Sequence, residues 1–116
     1  MSESVPTINR VAVVLEPKEP YLDWARNLDG DDPTIDTMSR ENLTTVYLIE
    51  DDAESEEEPL RRHWDWIFAE NLHSWHTDPR LWPQNRTYAM FKEWFDVRIV
   101  DIVYDLAEGR VTCEDV

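Results

Sequence analysis

The run Ile8 to Leu15 (INRVAVVL) is rich in β-branched residues and apolar on both faces, the pattern of a central strand. Glu16-Pro17 closes it. Pro20 suits the first position of a helix, where a missing N–H costs nothing. Tyr21, Trp24, Ala25 and Leu28 follow at helical spacing, so a short helix is predicted over 20–28. Asp29-Gly30-Asp31-Asp32-Pro33 is a turn cluster, and 34–43 carries no regular period. Thr44 to Glu50 (TTVYLIE) is a second strand. Strand, helix and strand in this order predict a right-handed parallel crossover. Ser55 with Glu58 three residues on fits a capping box, and Pro59 after a Glu58 cap fits as well.

The next helix has the strongest pattern. Leu60, Trp64, Ile67, Phe68, Leu72 and Trp75 share about 120° of arc at 100° per residue, an amphipathic core face. Asp78-Pro79 stops it, and Pro83 breaks the short turn that follows. Thr87 or Asn85 then caps a third helix with Tyr88, Phe91, Trp94 and Phe95 inward. Val97 to Leu106 is a third strand. Val100, Ile102, Tyr104 and Leu106 form its apolar face, while Asp101 and Asp105 make the Val97, Ile99 and Val103 face at least partly wet. Arg110 to Cys113 forms a short last strand or frays with the rest of 110–116, as residues 1–6 do at the other end. The expected fold is α+β: a small mixed sheet of three or four strands, in the sequence order βαβααβ, with helices mainly on one face.

Composition narrows this further. The 116 residues suit one domain, and 41% hydrophobic content with six Trp excludes wholesale disorder. There are 26 acids against 11 bases, for a net charge of −15. That excludes direct binding to nucleic acid through a basic surface. The segment MSESVPTINR lacks the features of a signal peptide, and no apolar run approaches membrane-spanning length, so a cytoplasmic protein with no membrane role is expected. The bases are nine Arg and two Lys, a bias that salt or genome adaptation also produces.

Three stretches, VVLEPKEPYLDWARNLD, TVYLIED and WHTDPRLWPQNRTYAMFKEWFDV, together resemble a family of short, acidic, uncharacterised bacterial proteins. The resemblance spans most of 10–106. It rests on Trp24, the strand at 45–49 and the Trp82-Pro83-x-x-Arg86 stretch. It implies one bacterial domain and no particular chemistry.

Four constellations were weighed for function. His63, Trp66, Glu70 and His73 form one stripe on the long helix, opposite its core face, and Glu70 with His73 has a metal-ligating spacing. A single such pair without companions reads as a solvated helix face, so no metal and no cofactor are expected. Trp75, His76, Asp78, Arg80, Trp82, Asn85 and Arg86 gather rings, cations and hydrogen-bonding groups in one turn region suited to a carboxylate, a phosphate or a planar ring. The same residues also serve as caps and core edge. No catalytic residues emerge. Asp101 and Asp105 project about 13 Å apart on a strand. Cys113, the single cysteine, has no histidine near it in sequence, and two glycines cannot build a phosphate cradle.

The last constellation is the acid itself. Seven carboxylates lie in Glu50 to Glu58, four more in Asp29 to Asp36, and Glu114-Asp115 near the end. Such a surface steers cationic partners. The sequence therefore points to a non-catalytic protein-interaction module with a basic protein as partner. Glu54, Glu56, Glu57, Glu58 and Trp66 are the expected contacts, and a monomer is favoured over a homodimer because of the charge. The alternative is a small-molecule binder or minor enzyme using the Trp75–Arg86 region.

Overall fold

The structure is a computed structural model that describes residues 7–29, 43–52, 54–55 and 57–113. The apolar run of the first strand becomes β1 (Arg10–Pro17), followed by α1 (Glu19–Asp29) and β2 (Thr45–Glu50). The long amphipathic pattern becomes α2 (Glu57–Trp75). A single 3-10 turn (Pro79–Leu81), α3 (Tyr88–Trp94) and β3 (Phe95–Val100) complete the chain order βαβααβ. The predicted turn at 30–33 and the aperiodic stretch to residue 42 lie outside the described residues, as do residues 1–6 and 114–116.

The three strands form one sheet in the order β2-β1-β3, both pairings antiparallel. The expected parallel crossover between β1 and β2 is overturned, and the sheet is not mixed. The connection from β1 to β2 carries a helix but is long enough to bring the chain back in the opposite direction. An antiparallel sheet also tolerates one open face, which a parallel sheet rarely does. No fourth strand joins it among the described residues, and 110–113 lies outside any strand.

Register decides which residues meet the helices. Val11, Val13 and Leu15 pair with Ile49, Tyr47 and Thr45 on one side. Val13, Leu15 and Pro17 pair with Ile99, Val97 and Phe95 on the other. Cross-strand partners share a face, so these side chains form the layer under the helices. The other face carries Arg10, Ala12, Val14 and Glu16, flanked by Val46 and Leu48 on β2 and by Asp96, Arg98 and Val100 on β3, while Glu50 at the end of β2 reaches His63 of α2.

The expected faces of the third strand are therefore reversed, and the strand is shorter. Phe95, which is buried, ends α3 and opens β3, so it sets the parity: Phe95, Val97 and Ile99 turn inward. Val100, Ile102, Tyr104 and Leu106 are 36%, 61%, 54% and 78% exposed. Asp101 and Asp105 lie beyond the strand's end and do not report on its faces. Beyond Val100 the chain stays beside the first segment through Ile8 N–H donating to Val103 O (2.9 Å) and a bridge between Thr7 and Tyr104.

The core is largely aromatic. Leu60, Ile67, Phe68 and Leu72 of α2 are buried against the sheet, with Trp64 and Trp75 half-buried beside them. Phe68 lies 5.5 Å from the rings of Trp94 and Phe95 and 6.0 Å from Phe91. Two caps set α3. Thr87 Oγ1 accepts from Met90 N–H, and Asn85 takes the left-handed backbone (φ 58°) that asparagine tolerates, so Thr87 and not Asn85 is the cap.

Tyr21 joins α1 to this core. Its hydroxyl donates to Asn71 O (2.8 Å) from a buried position. Burial, helped by the nearby Tyr47, pushes the Tyr21 phenol up to about 12. A raised folded value means the neutral phenol's contribution is complete below pH 10 and is lost as pH climbs toward 12. Wild-type stability should fall steeply over that window in alkaline denaturation. Tyr21→Phe should be less stable at pH 8 by about 1 kcal/mol, the worth of one hydrogen bond, but should show a shallower alkaline decline. Parallel curves for the two proteins would contradict this.

Candidate functional site

The turn region predicted as a ligand site is knotted to itself. Asp78 caps the 3-10 turn by accepting from Arg80 N–H (3.0 Å), and its carboxylate also pairs with the Arg80 guanidinium (2.9 Å). Those bonds hold the Asp78 carboxyl below the usual range. His76 Nδ1 accepts from Asp78 N–H, and Trp82 donates its indole N–H to His76 O (2.8 Å). Arg86 reaches Asp65 on α2 (3.3 Å), donates to Pro83 O, and lies over the rings of Phe68 and Trp82. Both arginines thus have carboxylate partners, and the Trp-Pro-x-x-Arg stretch fastens the turn to α2.

Trp75 parts from this group. It lines a cleft of about 370 Å³ with Tyr21, Leu43, Thr45, Asn71 and Ser74. Its indole N–H is buried without a hydrogen-bond partner among the described residues.

The acidic segment divides in the same way. Ser55 Oγ accepts from Glu58 N–H (3.2 Å), the capping-box half of the two expectations for this helix start. Glu57 stands in the first turn of α2, where its carboxylate accepts from the Tyr88 hydroxyl and pairs with Lys92 (3.1 Å). It is therefore a strut between α2 and α3. Asp51, Glu54 and Glu58 are exposed and make no ion pair among the described residues, while Glu56 lies outside them.

The Tyr88 bond first, and Lys92 after it, hold the Glu57 carboxyl below the usual carboxylate range. A depressed folded value means the contribution is present above the ordinary value of 4.5 and is lost as pH falls through the lower one. The side chain is 46% exposed, so solvent screens the pair. Glu57→Gln should cost about 1 kcal/mol at pH 7. The difference from wild type should close as the pH falls below the ordinary carboxylate range. A deficit undiminished at low pH would show that packing, not charge, holds this strut.

Leu81, Ile102, Tyr104, Leu106 and Val111 are exposed away from β2, and a second set of exposed groups flanks β2 itself. On its open-face side stand Val46 (56% exposed) and Leu48 (50% exposed). On its helix side stands the α2 stripe predicted from sequence. His63 Nε2 bonds Glu50 Oε1 (2.7 Å), and Trp66, 63% exposed, sets its ring edge-to-face on Tyr47 at 6.2 Å. Glu70 lies near enough to raise the Tyr47 phenol, behind the larger effect of burial. Tyr47 is itself fixed by Asn71 Nδ2, which donates to its hydroxyl (3.0 Å) and to Ile67 O. Glu50 is held low by its own backbone N–H and by His63. The stripe thus borders a strand edge instead of a plain solvated surface. Sequence reasoning singled out Trp66 and the acids, but it missed Val46 and Leu48. Their signal was present: in TVYLIE the period-2 face opposite Tyr47 and Ile49 is apolar too, and nothing in the sequence told whether a helix would cover it.

No protein-family model, no curated protein and no solved structure matches the chain. No helix among the described residues is long and apolar enough to cross a membrane.

Proposed function

We propose that this chain is a non-catalytic protein-interaction module whose docking surface is the β2 side of the molecule. One observation carries it. Val46 and Leu48 on one flank of β2 and Trp66 on the other are all at least half exposed, in a chain with a net charge of −15. Large apolar side chains left in water around one strand mark an interaction site, and Trp is a residue type on which binding energy concentrates. Asp51, Glu54 and Glu58 follow β2 in the chain and are exposed, and in this reading they steer a basic partner toward it.

The kinetics of association test the steering. A basic protein retained by the immobilised chain from native-cell extract at low salt serves as the ligand. Asp51→Asn, Glu54→Gln and Glu58→Gln together should slow association about tenfold at low salt and leave dissociation nearly unchanged. The difference should shrink as salt shortens the screening length to about 8 Å near 0.15 M. Equal association rates at low salt would remove the acids from the function.

A second reading has its own support. The cleft beside Trp75 is of small-ligand size. A small-molecule binder would show saturable quenching of Trp75 emission by a neutral, ring-containing compound, abolished by Trp75→Phe.

A further inference from the structure

We infer that the partner docks by adding an extended segment as a fourth strand to the outer edge of β2, which has no strand beside it among the described residues, and that this segment alternates basic and apolar residues. The inference rests on the interaction-module reading above and gives the occupant of that surface.

The sheet order leaves β2 and β3 as edges. An edge strand turns the N–H and C=O groups of alternate residues outward, unpaired. Proteins blunt such edges with charge or proline. β3 is blunted: Asp96 and Arg98 alternate along its open-face side. β2 is not. Thr45–Glu50 reads TVYLIE, with no proline, no base, and its one charge at the last position. Its outer edge therefore offers pairing that β3's does not.

The flanks specify the residues of the incoming strand. Side chains of an added strand alternate between the two faces of the sheet. Those on the open-face side would lie beside Val46 and Leu48, which suits Val, Ile or Leu. Those on the helix side would meet the stripe of Trp66 and Glu70, which stand four residues apart on one face of α2. An exposed indole and a carboxylate in that arrangement suit Arg or Lys, through a cation–π contact and an ion pair. Beyond the strand's end the chain adds the acids Asp51, Asp52 and Glu54, while the charge of Arg62 acts on Glu50. Arg61 is engaged over the Tyr88 ring (4.6 Å). At about 3.4 Å per residue, a segment of about six residues covers β2.

The same edge could pair with β2 of a second copy. Charge decides against that occupant. Two chains of −15 repel each other on approach, whereas a basic segment neutralises the surface it meets.

Fluorescently labelled peptides test the strand addition against the full chain by anisotropy at low salt. The probe is a segment of three Arg-Val repeats between Gly-Ser flanks. Two further peptides carry backbone N-methyl groups, one on every Arg and one on every Val. In strand addition only one of these sets faces β2. One N-methylated peptide should therefore lose at least tenfold in affinity and the other should bind nearly as the parent does. Leu48→Lys, an exposed position whose change leaves the core untouched, should weaken the parent peptide at least tenfold. Backbone amide signals of residues 45–50 should shift on titration while those of 95–100 stay put. Equal binding of all three peptides would overturn strand addition, as would no binding of the parent. A concentration-dependent dimer whose formation excludes the peptide would assign the edge to a second copy and overturn the heterologous partner. The interaction-module reading fails separately: it falls if extract proteins are retained equally by the chain with and without its β2 flanks, whatever the peptides do.

Discussion

Phe68→Ala is expected to lower the stability of the domain by about 4 kcal/mol and its melting midpoint by on the order of 15 °C. Phe68 is fully buried, and its ring lies among those of Phe91, Trp94 and Phe95, with the Arg86 guanidinium above it at 5.8 Å. It is thus the residue through which α2 holds α3, the start of β3 and the Arg86 turn at once. Removing the ring loses its transfer free energy and leaves a cavity that three rigid aromatic neighbours cannot fill by small shifts. A domain of this size has roughly 5–15 kcal/mol in total, so the variant should be partly unfolded at 37 °C. Trp66→Ala on the same helix should change stability by no more than about 0.5 kcal/mol, because the side chain is mostly in water. Thermal and urea unfolding of the two variants side by side check this. Similar losses for both would mean that α2 packs through a different face.

The second large effect is on binding. Val46→Lys, Leu48→Lys and Trp66→Ala combined should weaken association with the retained partner at least 100-fold, about 2.8 kcal/mol. The three side chains flank one strand, Val46 and Leu48 on its open-face side and Trp66 on its helix side. The lysines add like charge against a basic partner and place on β2 the kind of edge residue that natural sheets use to prevent pairing. Stability should stay within about 1 kcal/mol of wild type, since all three positions are at least half exposed. Isothermal titration with each protein, after unfolding curves have shown both to be folded, reads the difference. An undiminished affinity would place the contact elsewhere.

Most of the fold was legible because its signals are local. The long helix declared itself through Leu60, Ile67, Phe68 and Leu72. The Asp78 and Thr87 caps and the Ser55 capping-box bond are side-chain-to-backbone bonds within three residues, which the sequence displays directly. What failed was non-local. The direction of β2 depends on how a long connection returns, and nothing within TTVYLIE encodes that. The faces of β3 depend on parity inherited from Phe95, the residue that ends α3. Counting from Val97 and weighing Asp101 and Asp105 as strand residues gave the opposite answer, because the strand stops at Val100.

The candidate site shows the same division. Arg80, Arg86 and Glu57 are charged residues in polar segments, and sequence alone cannot tell a charge that waits for a ligand from one already paired. Asp78, Asp65 and Tyr88 decide those cases, and only Asp78 is a close neighbour in sequence. Trp66 was visible as an apolar residue on the polar face of a helix. Its partners across β2 became visible only once one face of the sheet was found uncovered by any helix among the described residues.

β2 and its flanks are the proposed contact surface. Hydrogen–deuterium exchange of the full chain, alone and with the retained partner, tests it most directly. The outward-facing amides of Thr45–Glu50 have no strand beside them among the described residues, so they should exchange rapidly in the free chain. Partner binding should slow exchange in β2 and around Trp66, and leave β3 and the Asp78–Arg86 turn as they were. Protection confined to the Trp75 cleft or to β3, with β2 exchanging as fast as before, would contradict the account.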